Sequence, residues 1–520
     1  MKSPKRYAII KNNIVFEISL IIILIITTFL IINQKKSSFL TNSIFNIMTQ
    51  YFSWLYLLVM LIFVIFVTFL ALSKYGNLKL GPQNAMPEYS TFSWFAMLFC
   101  AGMGVGLVFW GISEPISHYI APIDIEPYSI EAVDFAFKSV FMHWGIQPWA
   151  CYAIVGLALA YYQFRKGYPG LISSILKPLI GEKNANGLLG NLIDILAVFA
   201  TVAGVATSLG MGVMQITSGL NSFCGIANTL NIQIIIILSI TIIFIASALS
   251  GIGKGVKVLS NINIVLAISF MILAISVGPK IEMLNNLVGG IGKYINYFIE
   301  DSLAISAYKD NSWIGAWRVF YWAWWIAWAP FVGIFIARIS YGRTIREFII
   351  GVVLVPTIAS VIWFTIFGTL GISLGMDKTL STSLLEKIAL TPETGLFIVL
   401  QKYPLGQLMS LIAILLLFVF FITSADSGTF VLAMLSSNGN MNPPNKKKIV
   451  WGIIQTLLSI SLLIAGGLKP LQTISIIAAF PFIFIMLGAC ISLLKSLRQE
   501  DKEKSLSNTY KTINNFKKQK

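Results

Sequence analysis

Apolar residues in this chain do not alternate, nor do they recur on one helical face. They come in unbroken blocks separated by short polar or charged stretches, as at 16–32, 56–72, 232–249 and 474–494. About twenty consecutive apolar residues make a helix long enough to cross a bilayer. Divided at turn and charge signals, the pattern predicts twelve spans, near 15–33, 52–72, 91–112, 135–162, 189–221, 231–249, 258–278, 312–338, 347–374, 398–435, 449–467 and 471–495. The expected fold class is an all-α polytopic membrane protein. The basic start, MKSPKRYAIIKNN, precedes an apolar stretch that is long for a signal sequence and has no A-x-A-like site after it, so it reads as the first span.

Composition agrees. Of 520 residues, 57% are hydrophobic and 11% charged, against about 25% charged in soluble domains. The formal charge of +16 would suggest a nucleic-acid partner in a soluble chain, but membrane proteins collect Lys and Arg in cytoplasmic loops. Assigning loops alternately from a cytoplasmic N-terminus puts 26 of the 37 basic residues inside and nine outside. That balance predicts a cell (inner) membrane protein with both termini cytoplasmic and no nucleic-acid partner. Cys100, Cys151, Cys224 and Cys490 lie in or beside apolar segments, without metal-ligand spacing or a disulfide framework. The stretch 280–310 mixes aliphatic, aromatic and polar residues, as interfacial helices do. The basic tail, with Asn and Ser weakening its helix, suits anionic lipid. Glu114, Asp124, Glu126, Glu131 and Asp134 are read as an acidic outside loop.

Two spans are interrupted. Gly102, Gly104 and Gly106 stand at every second position of span three, and each costs a helix about 1 kcal/mol relative to Ala. Close helix packing uses glycines four apart, which accounts for Gly102 and Gly106 but not Gly104. An unwound stretch whose carbonyls face a cavity accounts for all three. In span ten, FFITSADSG places Thr423, Ser424, Asp426 and Ser427 inside an apolar run, and intramembrane acids mark function by default. The alternative is that these hydroxyls bond back to their own helix, with Asp426 near its cytoplasmic end. Two such breaks together suit a hard cation such as sodium.

Span eight carries Trp322, Trp324, Trp325 and Trp328 just before Pro330, and span four adds Trp144, Trp149 and Tyr152 around Pro148, a candidate kink. Interfacial belts are the bland explanation, yet this cluster lies mid-span. Cages of aromatic rings are how quaternary ammonium groups are recognised.

The segments GMGVGLVFWGISEP, HWGIQPWACYAIVG, YWAWWIAWAPFVGIFIARISYGRTIREFI and FFITSADSG together resemble the betaine/carnitine/choline transporter family, in order from about Thr91 to Gly488. The resemblance implies a LeuT-like core of two inverted five-helix repeats, homotrimers and alternating access. Residues 1–90 would then be an N-terminal segment with two peripheral helices, 91–278 the first repeat, 279–311 the interfacial helix and loop, 312–495 the second repeat and 496–520 the cytoplasmic tail. It also implies a substrate cage of Trp144, Trp149, Tyr152 and Trp325, with Trp328 below it and Gly102, Met103, Gly104 and Gly106 at the substrate's carboxylate end. Sodium would be bound by carbonyls of Cys100, Met103 and Phe420 and hydroxyls of Thr423 and Ser424. A second sodium in the family's manner would use Thr201 and Phe331, although Val205 stands where a second threonine is expected. Choline members carry Asp where Gly106 stands, and carnitine exchangers carry Arg in span seven, where Asn263 and Ile264 lie here. Both differences point to sodium-coupled glycine betaine uptake, with choline, carnitine or another trimethylammonium solute as the alternative. No organic cofactor is expected. An intramembrane enzyme would lack acid–base machinery, with His118 and His143 the only histidines, and a sensor would want a soluble output domain.

Overall fold

A computed structural model describes residues 5–102, 104–250 and 255–518, with side-chain surroundings for 13–98, 104–249 and 259–503. Cys100, Gly102 and Met103 of the expected site fall outside the latter set. Helices α1 (Lys5–Ile32) and α2 (Gln34–Leu72) are followed by two short-helix pairs, α3 (Thr91–Gly102) with α4 (Val105–Ile120) and α5 (Ile130–Trp144) with α6 (Ile146–Ala160). Then come α7 (Leu188–Cys224), α8 (Leu230–Ser250), α9 (Gly255–Val277), α10 (Lys280–Asn296), α11 (Phe320–Ile339), α12 (Ile345–Met376), α13 (Gly406–Leu435), α14 (Asn445–Ile464) and α15 (Leu468–Lys518). No named strand occurs among the described residues.

Ten helices among the described residues are long and apolar enough to cross a membrane. The remaining two predicted spans, 91–112 and 135–162, are the two that the backbone divides. The first break falls at Gly104, which is extended at φ −141°, ψ −171°. A Cβ built there would meet nothing within 4 Å. The second falls at Gly145, where a Cβ would lie 2.2 Å from the Phe141 carbonyl oxygen. The expected kink at Pro148 is therefore displaced by three residues. Pro148 sits in the first turn of α6, where a missing N–H costs no helical hydrogen bond.

The expected break in span ten is absent. α13 runs unbroken from Gly406 to Leu435. The Thr423 hydroxyl donates back to the Val419 carbonyl at 2.9 Å and that of Thr429 to Ala425 at 2.7 Å. Hydroxyls bonded into their own helix cost no backbone pairing, so the polar run does not unwind it.

α10 covers part of the stretch expected to be interfacial. Ile281, Leu284, Val288, Ile291 and Ile295 form an exposed stripe at helical spacing, while Lys293 reaches Asp134 at 2.5 Å. The tail differs from expectation, because α15 continues as one helix to Lys518.

α11 sits at the centre, packed on α6, α7 and α15, while α13 packs on α7, α8 and α9 and α12 on α4 and α6. The apolar stretch that ends in α11 is 89% buried and that of α7 83%, whereas those of α1, α8 and α9 are 22–28% buried. The outer helices turn their apolar faces outward, and the tryptophan-rich helix is walled in by protein.

Candidate functional site

Because α4 and α5 end or start at mid-span breaks, their side chains meet α11 in the interior. A cavity of about 150 Å³ lies there, lined by Gly104, Gly106, Trp144, Tyr152, Trp324, Trp325 and Trp328 on one side and Phe420, Thr423, Ser424 and Ser427 on the other. An apolar cavity of that volume in another protein holds benzene. Its lining continues through Ser260 and Phe335, toward the face where α11 and α13 end.

Trp325 is the hub of the rings. Its centroid lies 5.4 Å from Trp144, 5.0 Å from Tyr152 and 5.9 Å from Trp149. Trp149 is fully buried but does not line the cavity. It packs edge-on against Tyr152 at 5.5 Å and supports the wall from behind. Trp328 lines the cavity one turn on, 5.1 Å from Phe331. Gly106 closes the cage: a Cβ there would lie 2.6 Å from Trp324 Cη2 and 3.0 Å from Trp144 Cη2. Only a hydrogen fits between those indoles.

Away from the cavity, Glu114 is fully buried and knots three helices together. Its Oε2 accepts from Trp144 Nε1 at 2.9 Å and from the Tyr321 hydroxyl at 2.5 Å. Its Oε1 lies 2.6 Å from His143 Nδ1 and 3.3 Å from His118 Nε2. Placing Glu114 in an outside loop was therefore wrong, because Pro115 does not end α4, which continues to Ile120. Glu114, His118 and His143 have metal-type donors within 4.8 Å of one another. A metal between a carboxylate and an imidazole stands about 2.0–2.2 Å from each, which fits poorly with a 2.6 Å direct contact. The cluster is a hydrogen-bond knot.

On the opposite wall, Asn263 Nδ2 donates to Thr423 Oγ1 at 3.2 Å, while Asn263 Oδ1 is buried with no partner among the described residues. Asp426 accepts from Ser247 at 2.6 Å. Thr201 is buried with its hydroxyl donated to the Ala197 carbonyl at 2.8 Å, and it does not line the cavity; Phe331 does. Val205 packs beneath Gly428, where a Cβ would approach Val205 Cγ2 to 3.0 Å.

Residues 14–502 match the betaine/carnitine/choline family transporter pattern. The chain belongs to the betaine/carnitine/choline transporter family. It is 47% identical over 475 residues to the glycine betaine transporter OpuD of Bacillus subtilis, covering 91% of this chain and 90% of that one. It is 45% identical to a probable glycine betaine transporter of Desulfitobacterium hafniense over 94% of this chain and 98% of that one. It is also 40% identical to an ectoine/hydroxyectoine transporter of Virgibacillus pantothenticus over 95% and 98% respectively. This protein is accordingly an integral membrane transporter and not an enzyme.

In this transporter three of the four residues expected for the cage, Trp144, Tyr152 and Trp325, line the cavity together with Trp328, which was expected below it, while Trp149 stands behind the wall. Glu114, Tyr321, Trp324 and Asn263 were not assigned to the site from sequence. The signal for Glu114 was present: Gly106, Trp110, Glu114 and His118 recur every fourth residue, one face of a helix.

Proposed function

We propose that this transporter imports glycine betaine, or a related trimethylammonium solute, by sodium symport with alternating access. One observation carries the reading: Trp144, Tyr152 and Trp325 wall an interior cavity, the Trp144 and Tyr152 rings 5.4 and 5.0 Å from the Trp325 centroid, in a chain among whose relatives are named betaine carriers. A methylated ammonium offers no strong donor, and desolvated ring faces attract it by about 2 kcal/mol or more. Gly104 and Gly106, with Gly102 and Met103 beside them, take the carboxylate end.

Sodium enters as a co-substrate. Thr423 and Ser424, with main-chain oxygens of Cys100, Met103 and Phe420, are its ligands in this reading. Support comes from the hydroxyls on the cavity wall opposite the rings and from Asn263 Oδ1 beside Thr423, which has no partner among the described residues. A second sodium would lie between Thr201 and Phe331, and uptake stoichiometry separates one ion from two. Movement is assigned to rocking of two inverted repeats, 91–278 and 312–495, within a homotrimer whose basic tail rests on anionic lipid and whose termini are cytoplasmic.

The test is uptake of radiolabelled glycine betaine, choline, carnitine and ectoine into proteoliposomes, with and without an inward sodium gradient. Sodium-driven betaine accumulation is expected, falling steeply in Trp325→Leu. In Thr423→Ala combined with Ser424→Ala, the sodium dependence becomes shallower. Betaine uptake indifferent to sodium overturns the symport, and unchanged betaine affinity in Trp325→Leu overturns the cage.

A further inference from the structure

We propose that Glu114 determines specificity from behind the cage, by fixing Trp144 and Tyr321 and by placing negative charge behind the indole that meets the substrate's cationic head. This rests on the cage reading above.

The hydrogen bonds are the starting point. An ionised carboxylate offers about four acceptor sites and no donor. Glu114 has four partners around it: Trp144 Nε1, the Tyr321 hydroxyl, His143 Nδ1 and His118 Nε2. The indole can only donate, and with the Tyr321 hydroxyl donating as well Oε2 accepts from both and carries no proton. With a nitrogen-bound hydrogen on each imidazole aimed at Oε1, every acceptor site is filled. That pattern leaves His118 Nδ1 and His143 Nε2 as bare lone pairs, and those are the imidazole atoms buried with no partner among the described residues.

The placement gives the knot its role. Trp144 has its N–H on Glu114 while its ring lines the cavity, so the carboxylate is one side chain removed from the substrate. Donation to an anion polarises the indole and makes its face more attractive to a cation, and buried hydrogen bonds of this kind reinforce one another. Tyr321 closes the far side, its ring 5.5 Å from Trp144 and stacked on His143 at 4.7 Å. For a zwitterion the same charge orients the molecule. The ammonium head is drawn to Trp144, and the carboxylate is pushed toward the glycines and the hydroxyl wall.

The experiment measures equilibrium binding to the purified full-length transporter by tryptophan fluorescence. It uses two probes, glycine betaine and 3,3-dimethylbutanoate, the isostere that keeps the carboxylate and carries an uncharged tert-butyl group in place of trimethylammonium. Glu114→Gln is expected to raise the betaine Kd by about tenfold, with a clearly smaller change for the isostere. Equal loss for both probes, or loss for neither, overturns the inference. Glu114→Asp and Tyr321→Phe keep the charge and should keep the preference for betaine over the isostere. If Glu114→Gln does not yield folded protein, those two variants decide, and loss of the preference with the charge in place overturns the inference. Trp144→Leu tests the cage separately. If it binds betaine normally the cage itself fails; if it loses betaine while Glu114→Gln binds as wild type, only the role of Glu114 fails.

Discussion

Gly106 has no room for a methyl group. Two indole edges, Trp324 and Trp144, stand 2.6 and 3.0 Å from where its Cβ would be, so Gly106→Ala must push a ring out of the cage. Overpacking of this kind costs about 1–3 kcal/mol, which, if carried into binding, predicts betaine affinity weaker by about 5- to 150-fold. Titration of the purified variant checks it, and an unchanged affinity would show that the indoles can yield. At this scale the aromatic side of the site was legible, because ring identity and spacing carry its chemistry directly. Glu114 was not, because it follows the apolar block that ends near 112 and groups with Asp124, Glu126, Glu131 and Asp134 as a loop until the helix is seen to continue to Ile120. The hydroxyl run was legible as chemistry but misleading as geometry. Thr423 and Thr429 satisfy their hydroxyls on carbonyls of their own helix, so polarity alone did not break it.

Among elements, the two divided spans make the cavity, and their glycines do different work. At Gly145 the backbone passes so close that a Cβ would meet the Phe141 carbonyl oxygen at 2.2 Å and the Tyr294 hydroxyl at 2.8 Å. Tyr294 also accepts from the Ile146 amide and donates to Gln147 Oε1 at 2.6 Å, pinning α10 to the break. Gly145→Ala should therefore destabilise the folded protein by about 1–3 kcal/mol, seen as a lower Tm in detergent. Gly104 has open space around its missing Cβ and lines the cavity. Gly104→Ala should leave Tm near wild type while changing betaine affinity, and the reverse pattern would show that the roles of the two breaks had been exchanged. The glycine triplet announced the first break because three glycines in five residues have no good packing explanation. The second was misplaced because Pro148 is a louder signal than a lone glycine, yet a proline in the first turn is compatible with a helix.

For the whole molecule, the distribution of charge and the direction of the cavity make one joint prediction. The 26-to-9 division of basic residues puts the loop after α6 in the cytoplasm, so α7 carries the chain outward and its end, Cys224, should meet the external medium. Cys224 is exposed, its thiol donating to the Leu220 carbonyl at 3.1 Å, whereas Cys151 and Cys490 are buried. α13 runs the other way, and Ser427, on the cavity wall, lies toward its C-terminal end, which the same division of charge predicts to be cytoplasmic. A membrane-impermeant maleimide added to intact cells should label wild type but not Cys224→Ser. In inside-out vesicles the Cys224→Ser protein should stay unlabelled until Ser427→Cys is introduced, and saturating betaine should then slow its labelling. Labelling of Cys224 only from the cytoplasmic side would invert the topology. Labelling of Ser427→Cys at the same rate with and without betaine would separate the hydroxyl wall from the substrate route, because a ligand held by Trp144 and Trp325 in so small a cavity must screen the residues facing it.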